Sequence, residues 1–357
     1  MKTTLSKLKL CLMGIFIVLF SQLTVPQLFE LRLGGRFFCV LIAVCLCLSV
    51  INVKEKKALA RNAFLMITIL GTAISLIKPV QYSLDEDSHL LHTIGLSDSL
   101  VFKYSKEELT DYKLVYRHDG IRNQSHYQGN DYWLTVTHKP TKVKGNTIGF
   151  DNPAFLPGAI GWNLGRLISN KVFVSYYLGR IVNVLAYALL VFFAIKLSIV
   201  FKSVLYFMGT LPSAVYIISG FHYDYLYYGA SLILIALLTN ILAEKKTVTK
   251  LNALAFQALC LLFAFAKFPF ILVGSLILVL PKRYYDTSKT RWVALAMFGM
   301  MMLLSLIYTG IIKVMPMVGS VTGKSPGLLY FIQHPLPIIR TLIQIPHVIM
   351  DLSLIHI

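Results

Sequence analysis

The feature that most constrains this chain is a succession of apolar runs, each close to the length of a bilayer crossing, separated by short gaps rich in lysine and arginine. A helical span needs roughly 20 apolar residues. Leu10 to Val25, Phe37 to Val53, Asn62 to Ile77, Val172 to Ile195, Ser203 to Ser219, Tyr225 to Ala243 and Trp292 to Ile312 all approach that length. In hydrocarbon every backbone N–H and C=O must find its partner inside the segment, so runs of this kind fold as helices. A membrane β-barrel would instead need short strands of alternating polarity, which this sequence lacks. The fold class is therefore all-α polytopic membrane protein.

Composition agrees, with 56% hydrophobic and only 14% charged residues and a mean hydropathy of +0.68. The formal net charge of +18 would suit an anionic partner if it were gathered on one face. It is not gathered: the basic residues fall in the gaps, at Lys54 to Arg61, Lys245 to Lys250 and Lys282 to Arg291. That is the positive-inside pattern, which sets topology and argues against nucleic acid as a partner. It implies a multi-pass cell-membrane protein with a cytoplasmic N-terminus. Leu251 to Leu280 is ambiguous, because Lys267, Phe268 and Pro269 interrupt it near the middle. A single crossing would put Lys282 to Arg291 outside, so charge bias favours a hairpin of two short helices with Lys267 at its outer tip.

This gives nine spans and the start of a tenth, Thr341 to Ile357, which runs on without a cap or basic flank, as expected of a chain truncated at its C-terminus. Three parts follow: a three-span segment over 1–80, a large extracytoplasmic loop ending in an interfacial helix over 81–171, and a multi-span region over 172–357. The five cysteines, Cys11, Cys39, Cys45, Cys47 and Cys260, all lie inside apolar runs and form no CxxC pair, so they read as small buried hydrophobes.

The chemistry concentrates in one stretch after the third span, where Asp85, Glu86, Asp87, His89 and His92 fall within eight residues. In a helix Asp85, His89 and His92 share one face. Acids beside a bilayer are costly unless they are solvated, paired or used. The bland reading is a hydrated helix start with carboxylates at its positive end. The topology also carries Arg180, His222, Asp224 and Lys267 to the same outer face as the acids. The aromatic run Phe221, Tyr223, Tyr225, Tyr227 and Tyr228 reads as an interfacial belt.

The order of these signals resembles the bacterial membrane-protein family known as domain of unknown function 2142. The resemblance rests on Asp85, Glu86 and His89, on Asn152 to Pro157, on Tyr177, Arg180 and Asn183, on Pro212, Ser219 and Asp224, and on Lys267. It covers roughly Phe64 to Leu342, with Phe150 standing where the family pattern has tyrosine. That family is in turn similar to the GT-C membrane glycosyltransferases, which use polyprenyl-phosphate-linked sugars and carry an acid in the first large outer loop. The resemblance implies transfer of a sugar from such a donor to a cell-envelope polysaccharide or lipid acceptor. It would make Asp85 a general base, with Glu86, Asp87 and Asp224 as further catalytic acids. His89, Arg180, His222 and Lys267 would bind substrate, the two cations holding the lipid phosphate. A divalent metal, Mg or Mn, on Asp85 and Asp87 is optional in this scheme. The competing expectation is a non-catalytic transport or assembly component of an envelope-polysaccharide system.

Overall fold

The computed structural model describes residues 12–16, 20, 42–45, 47, 56–78, 80, 83, 85–98, 110–116, 134–139, 153–266 and 268–313. Nearly all of these belong to one compact unit, Met1–Tyr308; a second, Thr309–Ile357, is described only in the last residues of the final helix. The described residues are helical, with two isolated β-bridges and no longer strand. This is an all-α membrane protein. The first two expected spans are seen only in part, helical at 12–16 and 42–45, and Cys45, Cys47 and Cys260 are buried, as expected of small hydrophobes.

Among the described residues three helices are long and apolar enough to cross a bilayer: α1 (Leu59–Ile77), α5 (Val172–Leu197) and α8 (Asp224–Leu242). Between the first two come α2 (Glu86–Asp98), α3 (Thr110–Tyr116) and α4 (Leu156–Ile168). The short helices α6 (Lys202–Gly209) and α7 (Pro212–Ile218) join α5 to α8. After α8 come α9 (Lys250–Ala266), a 3₁₀ segment Phe268–Ser275, α10 (Leu276–Val279) and α11 (Ser288–Lys313).

Expected spans 62–77, 172–195 and 225–243 correspond to α1, α5 and α8. The run 203–219 differs, being broken into α6 and α7. Pro212 has no N–H to continue a helix, and it forces Leu211 before it into an extended conformation with ψ 130°. Over 251–280 the chain doubles back as a hairpin, but its second limb is the 3₁₀ segment and the four-residue α10 rather than one short helix, and the expected tip at Lys267 lies outside the described residues. Helix α9 packs back on the 3₁₀ segment, and the two feet of the hairpin are joined where Val248 N–H donates to Tyr284 O at 2.8 Å and Asp286 N–H to Val248 O at 3.3 Å. The basic gaps 245–250 and 282–291 thus share one end of the bundle.

Two hydrophobic cores form among the described residues. The larger packs α1, α5, α8 and α9 around Ile67, Tyr187, Val191, Ala230 and Phe256. Asn240 fastens its lower end: its side chain receives Ile199 N–H at 2.7 Å and donates to Leu197 O at 2.9 Å, which satisfies the turn after α5. The smaller core gathers Leu90, Ile94, Val115, Val136, Trp162, Tyr176 and Phe221 from α2, α3, α4 and the start of α5. A 26-residue α5 is ~39 Å long, against a hydrocarbon thickness of about 30 Å. The excess is the N-terminal end that carries the smaller core, which therefore forms a cap on one end of the bundle.

The cap is seated by glycine. Helix α4 runs antiparallel to the first turns of α5 so closely that a Cβ on Gly165 would lie 2.2 Å from Ser175 Cα, and one on Gly161 2.4 Å from Leu178 O. The region expected to be an interfacial helix is this one, with Leu167 and Ile168 on its exposed side.

Candidate functional site

At the cap–bundle junction lies Arg180, fully buried nine residues into α5. Its Nε and Nη2 donate to the two oxygens of Glu86, each at 2.8 Å. Nη1 donates to Ser75 O at 3.1 Å and Lys78 O at 2.8 Å, and Nη2 also to Tyr176 Oη at 2.8 Å. All five guanidinium N–H groups are used inside the protein. Glu86 also accepts from Phe221 N–H at 3.1 Å and Ser83 N–H at 3.3 Å. Burial alone would push the Glu86 carboxyl up, but the Arg180 charge and these hydrogen bonds outweigh it and hold the group below the ordinary range.

Two residues expected to act on substrate are therefore spent on each other. The geometry leaves Arg180 no donor for a lipid phosphate and gives Glu86 no open face for catalysis. They bind the end of α1, the start of α2, α5 and the turn before α8 into one joint. Lys78 belongs to the same joint, though in the sequence it is only a single charge at the end of an apolar run. Its Nζ donates to Tyr216 O at 2.6 Å and Ser83 Oγ at 2.8 Å, and burial pushes its pKa down to about 8.

Asp85 explains how Glu86 is aimed inward. It adopts φ 54°, the left-handed region that aspartate tolerates better than most residues. The chain turns there, Asp85 stays exposed, and its carbonyl accepts His89 N–H at 3.1 Å to start α2. Asp87 is half-buried in the first turn. Among the described residues no group of three or more histidine, cysteine or acidic side chains comes together.

Beside the joint the structure brings together residues from α2, the start of α4 and the 221–224 turn. The His89 ring meets those of His222 at 4.5 Å, Tyr223 at 4.8 Å and Phe155 at 5.6 Å between centroids, and His92 stacks on Phe155 at 5.1 Å. His89 and His92 share one face, as their spacing predicts. His222 Nδ1 accepts Asp224 N–H at 3.1 Å, which assigns the ring proton to Nε2 when the imidazole is neutral. The Asp224 carboxylate lies 3.4 Å from the same nitrogen. Of the aromatic run, Phe221 and Tyr225 are core residues rather than a belt. Lys267 lies outside the described residues.

This end of the bundle also borders a cavity of about 670 Å³. Tyr223, Tyr227 and Ser231 line its upper part, Ile235 and Leu238 its lower part, with Phe256 and Phe270 opposite.

The family model of predicted membrane proteins designated DUF2142 matches residues 68–352. The chain belongs to the DUF2142 family. No curated protein and no solved structure matches it. The matched stretch contains every residue of the joint and of the histidine cluster.

A second polar array in this DUF2142 protein was not legible in sequence, because its members are 27 and 37 residues apart. His138 Nδ1 lies 2.7 Å from Asp111 Oδ2, and Nε2 lies 2.9 Å from Ser175 Oγ. Arg166 joins Asp111 at 2.7 Å and Asp98 at 2.5 Å. Burial would raise Asp111, but hydrogen bonds from His138, Arg166 and Lys139 N–H keep it below its usual range. Ser175 is fully buried under Gly165. The array therefore ties α3, α4 and α5 together around the buried Ser175 hydroxyl.

Proposed function

We propose that this DUF2142 protein is a GT-C-like glycosyltransferase, moving a sugar from a polyprenyl-phosphate donor to a cell-envelope polysaccharide or lipid acceptor. The observation that supports this reading is the meeting of His89, His222 and Tyr223 beside Asp224 at one end of the membrane helices. A lipid-linked donor presents its phosphate and sugar at that depth. Imidazole N–H groups suit phosphate oxygens, and flat rings such as Tyr223 and Phe155 suit a sugar face.

In the proposed step Asp85 takes the proton of the acceptor hydroxyl. The acceptor oxygen bonds to the anomeric carbon, the bond from that carbon to phosphate oxygen breaks, and polyprenyl phosphate leaves with the electron pair. His222 Nε2–H donates to the phosphate, and Lys267 is the cation proposed to neutralise it. Asp87 and Asp224 orient acceptor and imidazole. Arg180 and Glu86 support the site from below without touching substrate.

The test is sugar transfer in proteoliposomes, from radiolabelled polyprenyl-phosphate monosaccharides to an envelope glycan fraction. Asp85→Asn is expected to lower transfer at least about a hundredfold with protein amount unchanged. If Asp85→Asn supports full envelope assembly in cells while the bulky change His222→Trp blocks it, the protein recognises a lipid-linked glycan without catalysing transfer.

A further inference from the structure

We infer that the cavity along α8 holds the isoprenoid chain of the donor lipid, with the chain's phosphate end at Tyr223 and its tail toward Leu238. This rests on the donor proposed above and adds where the donor is held. Three observations carry it.

The first is the polarity gradient. The hydroxyl-bearing residues of the lining, Tyr223 at the cap of α8 and Tyr227 and Ser231 in its first turns, follow one another at helical spacing and are succeeded by Ile235 and Leu238. The Ser231 hydroxyl is already spent on Tyr227 O at 2.8 Å, so the lower wall offers a ligand no polar group from α8. A cavity graded in this way fits a molecule with one polar end and a long hydrocarbon body.

The second is the setting. The wall is a membrane-spanning helix on one side and the α9 hairpin on the other, with Phe270 packed on Tyr227 at 4.8 Å. Ile235 and Leu276, both in the lining, are 36% and 44% exposed. The cavity is therefore open sideways at the level of the apolar belt, where a lipid chain can enter from the bilayer. From Tyr223 to Leu238 is 15 residues, or ~22 Å of helix, which is most of the ~30 Å hydrocarbon depth.

The third is continuity. Tyr223 belongs to both places: its ring meets His89 at 4.8 Å and His222 at 5.5 Å, and it also lines the cavity. One molecule can lie along α8 and present its head to the imidazoles.

The experiment measures binding of a two-unit and an eleven-unit polyprenyl phosphate to the full chain in nanodiscs, by displacement of a photoreactive analogue. At equal mole fraction in the bilayer the unaltered protein is expected to bind the long chain at least about tenfold more tightly than the short one, since the longer chain makes more close-packed contacts with the cavity wall. Leu238→Trp fills the lower cavity and is expected to bring the two to near parity without weakening the short ligand. Ile235→Trp, on the open side, serves as the second variant should Leu238→Trp fold poorly. If the unaltered protein binds both lengths equally, or if neither tryptophan variant changes the ratio, the chain lies elsewhere and the head-group reading stands. If a two-chain phospholipid displaces the probe as well as the long polyprenyl phosphate does, the cavity is a general lipid site and the inference fails. Failure of the unaltered protein to bind either polyprenyl phosphate sinks both readings together.

Discussion

Glu86 and Arg180 stand 94 residues apart in sequence and meet through two parallel hydrogen bonds of 2.8 Å, with neither side chain exposed to solvent. The pair is the point at which the cap is locked to the membrane helices, and its removal tests that role directly. Breaking a buried ion pair from one side strands the other charge and costs about 3–5 kcal/mol. Glu86→Gln and Arg180→Met are each expected to destabilise the protein by that order, seen as a lowered midpoint of thermal unfolding in detergent. The double variant should recover part of the loss only, because the carbonyls of Ser75 and Lys78 still lose their donor. A double variant as poor as the sum of the singles would show that the two residues are not energetically coupled.

Lys78 gives the protein a pH signature. Its folded pKa of about 8 lies below the 10.5 of free lysine. Between those values the unfolded chain binds more protons than the folded one, so stability rises as pH climbs through that window. The slope is at most about 1 kcal/mol per pH unit. Lys78→Met should abolish the rise in unfolding midpoint on the alkaline side. Glu86 acts at the other end: its folded pKa is depressed, so its contribution is present above the unfolded carboxylate value and disappears as pH falls through the folded one.

Gly165 is predicted to accept no side chain at all. A Cβ there would meet Ser175 backbone atoms at 2.2 and 2.6 Å, which no rotamer change relieves. Gly165→Ala should cost about 1–3 kcal/mol or more, and hydrogen exchange should report it as faster exchange in α4 and in the first turns of α5. Gly299, with nothing within 4 Å of its virtual Cβ, is the control: Gly299→Ala should be neutral or slightly stabilising.

Asp85 separates stability from activity. Its φ of 54° is strained for a side-chain-bearing residue, and glycine relieves that strain while adding freedom to the unfolded chain. The two effects offset, so Asp85→Gly should keep the unfolding midpoint within about 1 kcal/mol of the parent. If the carboxylate is the base, sugar transfer by this well-folded variant falls to background in the same proteoliposome assay. Full transfer by Asp85→Gly would remove Asp85 from the chemistry.

Much of this organisation is legible in the amino-acid order. Apolar length locates α1, α5 and α8 to within a few residues. The interruption at 267–269 together with charge bias splits 251–280 into a hairpin, and the linked feet at Val248 and Tyr284 agree. The spacing of His89 and His92 places both on the face that meets Phe155. The break at Thr210 and Leu211 was also written in the sequence, in Pro212, but an apolar run averages over a single proline.

The sequence by itself determined a helical membrane protein with its acids, histidines and aromatics delivered to one end, because hydrocarbon demands internal backbone bonding and charge bias sets direction. Tertiary structure alone decided what each polar residue does there. Asp85, Glu86 and Asp87 are interchangeable by composition, and they become a strained exposed carboxylate, a buried partner of Arg180 and a half-buried helix start only once the chain turns at Asp85. Asp111, His138 and Ser175 show the same limit. Hydrogen bonds of under 3 Å between segments far apart in sequence depend on how helices are seated, and that seating is set by close packing at positions such as Gly161 and Gly165.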